Sequence, residues 1–120
     1  MKKYQNIYKV SLVVRPRNKK CFEDHIILQK HLVKAAESGN MTPKSMLTDF
    51  LHGEKHIGFS LVLIVQESHI AVYTYPEHGV ITIDAETCSS KESAEGIVRY
   101  FKKVFKIVKE SEMRVINIAS

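Results

Sequence analysis

The sequence predicts an α+β domain, a two-layer sandwich in which two helices cover one face of a mainly antiparallel sheet. Three observations carry that expectation. Four stretches between Ser45 and Thr87 read as strands joined by short polar turns, and strands joined that way pair antiparallel. Two further segments, one on each side of those strands, repeat apolar residues at helical spacing. The chain has 120 residues and 13.7 kDa, the size of one domain, 1–120, with one core.

The elements follow in order. Tyr4 to Val14 alternates, with Tyr8, Val10, Leu12 and Val14 on one side, and Arg15-Pro16-Arg17-Asn18 ends that strand. From Phe22 to Glu37 the apolar positions Phe22, Ile26, Leu28, Leu32, Val33, Ala35 and Ala36 define a helix, with Gly39 at its C-terminal cap. Ser45 to Leu51 is the second strand and His52 to His56 a polar turn. Ile57 to Val65 is apolar almost throughout, the pattern of a strand buried on both faces. Ile70 to Tyr75 alternates, Pro76-Glu77-His78-Gly79 turns the chain, and Val80 to Thr87 is the fifth strand. Ser89 with Glu92 forms a capping box for a helix that buries Ala94, Ile97, Val98, Phe101, Val104, Phe105 and Val108. Met113 to Ala119 closes the order β-α-β-β-β-β-α-β.

Two helices cover only one face of a sheet of five or six strands. A strand apolar on both faces then needs a second cover, and a second copy of the chain supplies it. The expectation is a homodimer joined sheet to sheet.

Composition excludes more than it selects. Hydrophobic residues at 44% and charged residues at 26% exclude an intrinsically disordered chain. The longest apolar run, Leu61 to Val65, is too short to span a bilayer, and the N-terminus leads into a strand pattern, so no membrane is expected. Two cysteines, Cys21 and Cys88, without CxxC spacing point to a reduced, cytoplasmic protein. The net charge of +5 is spread along the chain, and only Arg99 to Lys109 is locally basic, which reads as a solvated helix face. No nucleic-acid partner is expected, because the exposed aromatic strand pattern that base stacking needs is missing. His52 and His56 are four apart but lie in a turn, so they are not fixed as zinc ligands and no metal is expected.

The unusual stretch is Gly58 to Cys88. A Glu67-Ser68-His69 tripeptide separates two apolar strands where Asn-Gly or Asp-Gly makes a better hairpin. Pro76-Glu77-His78-Gly79 and then Ile83-Asp84-Ala85-Glu86-Thr87-Cys88 follow. A local rule broken in mid-core marks a candidate site.

Those three motifs, in register, resemble the short prokaryotic class of S-adenosylmethionine decarboxylase, a self-cleaving, pyruvoyl-dependent family. The match is close over Gly58 to Cys88, including the Ser60–Ser68 and Ser68–Cys88 spacings, and is alignable around Ala35 to Gly39 and Phe50-Leu51. The resemblance implies a decarboxylase that turns S-adenosylmethionine into the aminopropyl donor for spermidine synthesis. It implies that Ser68 attacks the carbonyl of Glu67 and that cleavage there leaves 67 residues and the 53 that remain of 120. The second piece would begin with a pyruvoyl group derived from Ser68, the family's only cofactor and an electron sink for decarboxylation. By the same resemblance Cys88 is the acid that reprotonates the substrate and Ser60 polarises the site during self-cleavage. Glu77 binds the ribose hydroxyls, and Phe50 stacks on adenine or faces the sulfonium charge.

The sequence also departs from the family. Tyr73 stands five residues after the scissile serine, where the family has an acid/base histidine. A phenol is a poor base at neutral pH, though it donates hydrogen bonds. Regular alternation sends His69 to the sheet face opposite Ser68. His78 replaces an aromatic residue, and the family's Gly-x-His is missing around Asn6 to Lys9. Two readings therefore stand beside the main one. The chain is a pyruvoyl-dependent decarboxylase of a basic amino acid such as ornithine or arginine, or an uncleaved, non-catalytic relative that binds a partner subunit.

Overall fold

A computed structural model describes residues 4–52 and 57–119. Its elements run β1 (Asn6–Pro16), α1 (Lys20–Glu23), α2 (His25–Ser38), β2 (Pro43–His52), β3 (Ile57–Val65), β4 (Ser68–Tyr75), a single 3₁₀ turn (Pro76–His78), β5 (Val80–Thr87), α3 (Lys91–Val104), β6 (Phe105–Glu110) and β7 (Arg114–Asn117). One sheet takes the strands in the order β2-β3-β4-β5-β1-β6, with β7 also paired to β1, and every pair is antiparallel. Helix α2 lies against β2 and β3, and α3 against β1, β5 and β6. The two helices also pack on each other, so both cover one face and the expected sandwich is the observed one.

Alternation decides which residues that face buries. Leu12 and Val14 of β1, Leu61 and Leu63 of β3, Ile70 and Val72 of β4 and Ile81 and Ile83 of β5 meet Leu28, Leu32, Ile97 and Phe101 of the helices. The helices cross closely at Gly39 and Gly96. A Cβ on Gly39 would stand 2.6 Å from the Ser93 carbonyl oxygen, and one on Gly96 would collide with the Ser38 carbonyl.

Four expectations change. The first helix is broken at Asp24, whose extended backbone lets its Oδ1 accept the Ile26 N–H at 2.9 Å and cap α2. The cap of α3 is Ser90, not Ser89: its Oγ accepts the Ser93 N–H at 3.0 Å. That helix stops at Val104, because Phe105 turns extended and Phe105 to Glu110 adds β6 to the free edge of β1. Phe105-Lys106-Ile107-Val108 fits a strand period as well as a helical one, and pairing with β1 decided between them. The basic stretch is thereby divided between α3 and β6, and Lys102 pairs with Glu110 at 2.9 Å. Finally, β3 is covered on one side only within a single chain: Phe59, Leu61, Leu63 and Val65 are buried, while Ser60 and Val62 are half-buried and Ile64 is exposed. Leu47 of β2 and Tyr73 of β4 share that open face. The turn expected at His52 to His56 falls largely outside the described residues.

Candidate functional site

Strands β3 and β4 are joined by two residues, Gln66 and Glu67. The Gln66 N–H donates to the Thr42 carbonyl at 2.9 Å, and the Thr42 N–H donates to Glu67 Oε1 at 3.1 Å, which ties the turn to the start of β2. Register places the rest. Ser68 pairs with Thr87, so the residues one step beyond, Glu67 and Cys88, face each other. The Glu67 carbonyl oxygen accepts the Cys88 N–H at 3.1 Å and the Cys88 S–H at 3.0 Å. Two donors on one carbonyl polarise it and meet the negative charge that develops when its carbon is attacked.

The thiol suits that role. Partial burial pushes the Cys88 thiol above its ordinary range, and the Glu67 and Glu86 carboxylates push the same way, against a hydrogen bond from its own backbone. Cys88 therefore keeps its proton at neutral pH. A helix N-terminus commonly lowers the pKa of a nearby thiol, but Cys88 precedes the Ser90 cap by two residues, faces carboxylates and is shifted upward.

Ser68, the residue after the polarised carbonyl, has its own partners. Its Oγ donates to Glu86 Oε2 at 2.9 Å and lies 3.2 Å from His69 Nδ1. This overturns the expectation that Ser68 and His69 face apart. Ser68 is the first residue of β4, and its φ of 159° lies about 60° from that of a regular antiparallel strand, so the simple alternation of faces does not hold there and its Oγ reaches both His69 and Glu86. Glu86 pairs across the ladder with His69 and forms an ion pair with Lys9 at 3.0 Å. Its partial burial disfavours charge, but hydrogen bonds from Lys9 and Ser68 with the charges of Lys9 and His69 outweigh it, so the carboxyl sits below the usual range. Lys9, Ser11, His69, Tyr73, Glu86 and Arg114 line a recess of about 590 Å³ on the open face beside Ser68.

The other residues singled out in the sequence stand elsewhere. Ser60 and Tyr73 are cross-strand partners on the open face, and Tyr73 is five residues along β4 from Ser68, about 17 Å at the rise of a strand. Glu77 lies in the 3₁₀ turn at the far end of β4 and is exposed. The flanking Pro76 and Gly79 line a recess of about 560 Å³ with Arg15, Arg17 and Phe22. Phe50 pairs with Phe59 at that same end, but its ring turns to the helix side, edge-on to His25 with centroids 5.0 Å apart. One chain thus brings Glu67, Ser68 and Cys88 together and holds Ser60, Tyr73, Glu77 and Phe50 apart from them. Glu86 carried no role in the sequence reading. Its place two residues before Cys88 was visible, but its contact with Ser68 needed the β4/β5 register.

Among the described residues no group of three or more His, Cys, Asp or Glu side chains could hold a metal ion. No helix among them is long and apolar enough to cross a membrane.

The chain is also similar to known proteins. The chain is 37% identical over 79 residues to an S-adenosylmethionine decarboxylase proenzyme from Pyrococcus abyssi, covering 66% of this chain and 55% of that one. It is 38% identical over 80 residues to a proenzyme of the same description from Sulfolobus acidocaldarius, covering 67% and 62%. The chain spans about half the length of the curated relatives it matches, as those figures show. The crystal structure of the adenosylmethionine decarboxylase from Aquifex aeolicus VF5 superimposes with a TM-score of 0.73 at 20% identity over 97% of this chain and 92% of that one, which shows a shared fold. The family model described as S-adenosylmethionine decarboxylase matches residues 14–117, and the chain belongs to that family.

Proposed function

We propose that this chain is a proenzyme that cleaves itself between Glu67 and Ser68 and then decarboxylates S-adenosylmethionine to the aminopropyl donor for spermidine synthesis. The observation that carries the reading is the Glu67 carbonyl. It accepts two hydrogen bonds from Cys88 and is followed directly by the Ser68 hydroxyl, which is the arrangement an attack by Ser68 requires. The residues therefore fit a pyruvoyl group formed at Ser68, which supplies an electron sink for decarboxylation. Cys88, kept protonated beside that position, is suited to deliver a proton to the substrate carbon.

Ser60 and Tyr73 lie some 17 Å along the same open face from Ser68, with Glu77 and Phe50 at their end of the sheet. A homodimer that stacks open face on open face, about a two-fold axis running across the strands, turns each end over the other. One subunit's Ser68 and Cys88 then meet the partner's Ser60, Tyr73 and Glu77. Exposed Leu47, Ile64 and Tyr73 supply the apolar surface that such a contact covers. Both cysteines of the chain are free, in keeping with the cytoplasm.

The test is the intact mass of the purified chain under denaturing conditions. Two species divided between Glu67 and Ser68, with the second blocked at its N-terminus, are expected, and Ser68→Ala stays whole. Cleaved protein then releases carbon dioxide from carboxyl-labelled S-adenosylmethionine. Release from ornithine or arginine instead would change the substrate, and a parent that remains whole would leave a non-catalytic binding role. Mixing Ser68→Ala with Ser60→Ala subunits tests the shared site, because only a composite site regains activity.

A further inference from the structure

Self-cleavage needs a base for the Ser68 hydroxyl, and the position at which the family carries histidine is Tyr73 in this chain. Within the chain Tyr73 stands five residues along β4 from Ser68, beyond the reach of a hydrogen bond. Two other groups touch the hydroxyl, His69 Nδ1 at 3.2 Å and Glu86 Oε2 at 2.9 Å. We propose that His69 is the catalytic base of self-cleavage, with Glu86 holding the hydroxyl and balancing the imidazolium that forms. This rests on the cleavage reading above and adds to it a residue that makes Tyr73 dispensable as a base.

The choice between the two groups follows from chemistry. The Glu86 carboxyl is held below the usual range by Lys9 and Ser68, so it is a weak proton acceptor at neutral pH. An imidazole exchanges protons near neutrality and serves as a base there. A serine hydroxyl turns freely about its Cβ–Oγ bond, so a proton resting on Glu86 is readily turned toward Nδ1. Glu86 and His69 are cross-strand partners, which sets the carboxylate beside the new positive charge.

The step balances without any other reactant. The Oγ proton passes to His69 Nδ1 as Oγ bonds to the Glu67 carbonyl carbon. Charge on the carbonyl oxygen is met by the Cys88 N–H and S–H. The Glu67 C–N bond then breaks, and the proton held by His69 goes to the departing Ser68 nitrogen. The product is an ester isomer of the peptide bond, with no net gain or loss of protons.

The test follows precursors of the parent, His69→Asn, His69→Ala and Glu86→Gln by intact mass, with hydroxylamine present to cut any ester. We expect His69→Asn to slow cleavage at least ~100-fold, His69→Ala to regain at least ~10-fold with added imidazole, and Glu86→Gln to lose less than His69→Asn. A folded His69→Asn chain that cleaves at the parent's rate overturns the inference while leaving the cleavage reading intact. A parent that neither cleaves nor yields an ester to hydroxylamine overturns both. If the variants do not fold, the parent's own pH profile decides. Its rate should track the ¹⁵N titration of the His69 imidazole, and a mismatch overturns the inference. The charged and titratable groups facing that ring are Glu86 and Asp84 of β5, Lys9 of β1, Arg114 of β7 and Tyr73 of its own strand.

Discussion

Cys88 gives both its backbone N–H, at 3.1 Å, and its S–H, at 3.0 Å, to the carbonyl oxygen of Glu67. A chain that used Cys88 only as small core filling would have no need of the second bond. Cys88→Ala keeps the N–H and removes the thiol donor. Intact-mass time courses should show self-cleavage slowed about tenfold, in line with the loss of one weak donor from a developing oxyanion. Cleavage at the parent's rate would confine Cys88 to later chemistry.

The same thiol links stability to pH. Its pKa is raised on folding, so the native chain binds its proton more tightly than the unfolded chain does. The stabilisation is complete below the ordinary thiol value of 9.0 and is lost as pH climbs through the raised native value. Denaturant melts of the parent minus those of Cys88→Ala should show a difference that falls on the alkaline side. Taking the difference removes Cys21, whose buried thiol is shifted in the same direction.

Glu86 behaves oppositely. Its folded pKa is depressed, so its contribution is present above the ordinary carboxyl value of 4.5 and disappears as pH falls through the native value. Glu86→Gln should flatten the acid limb of the melting curve relative to the parent. An unchanged acid limb would mean that the Lys9 and Ser68 contacts add nothing in solution.

Thr74 completes a gap in the β3/β4 ladder. Its buried Oγ1 accepts the Phe59 N–H at 2.9 Å and donates to the Phe59 carbonyl at 3.2 Å. Thr74→Val keeps the shape and leaves two backbone groups unpartnered, a cost of about 2 kcal/mol in denaturant unfolding.

Leu47 is 63% exposed on the open face. If two copies close over that face, Leu47→Asp should shift the parent's dimer toward monomer in light scattering at micromolar concentration. A monomeric parent would remove the dimer instead.

Much of this architecture was legible in the residues, and the exceptions have physical causes. Alternation in β1, β4 and β5 and the apolar positions of α2 and α3 declared themselves because one face is buried and the other is not. Phe105 to Glu110 did not, since its apolar spacing fits two periods and only the free edge of β1 selects one. Glu67, Ser68 and Cys88 were legible as motifs. What the motifs could not say is which residues share an end of the sheet. Ser60 and Tyr73 lie near Ser68 in sequence, yet an extended strand carries them away from it. Glu86 and His69 needed register, and His69 needed the turned backbone of Ser68 as well.

The turn between β3 and β4 has a topological consequence. A break after Glu67 assigns β1, β2 and β3 to one piece and β4 to β7 to the other, so across the sheet the pieces alternate, with β1 flanked by strands of the second piece on both sides. The nicked molecule is interwoven, and neither piece can leave without stripping ladders on both flanks of β1. Unfolding of each nicked subunit would release two pieces, which adds a dependence on protein concentration beyond that of the dimer and absent from the unbroken precursor. Cleavage would thus turn each single-chain subunit into an association that, once melted, must be reassembled from two separate pieces.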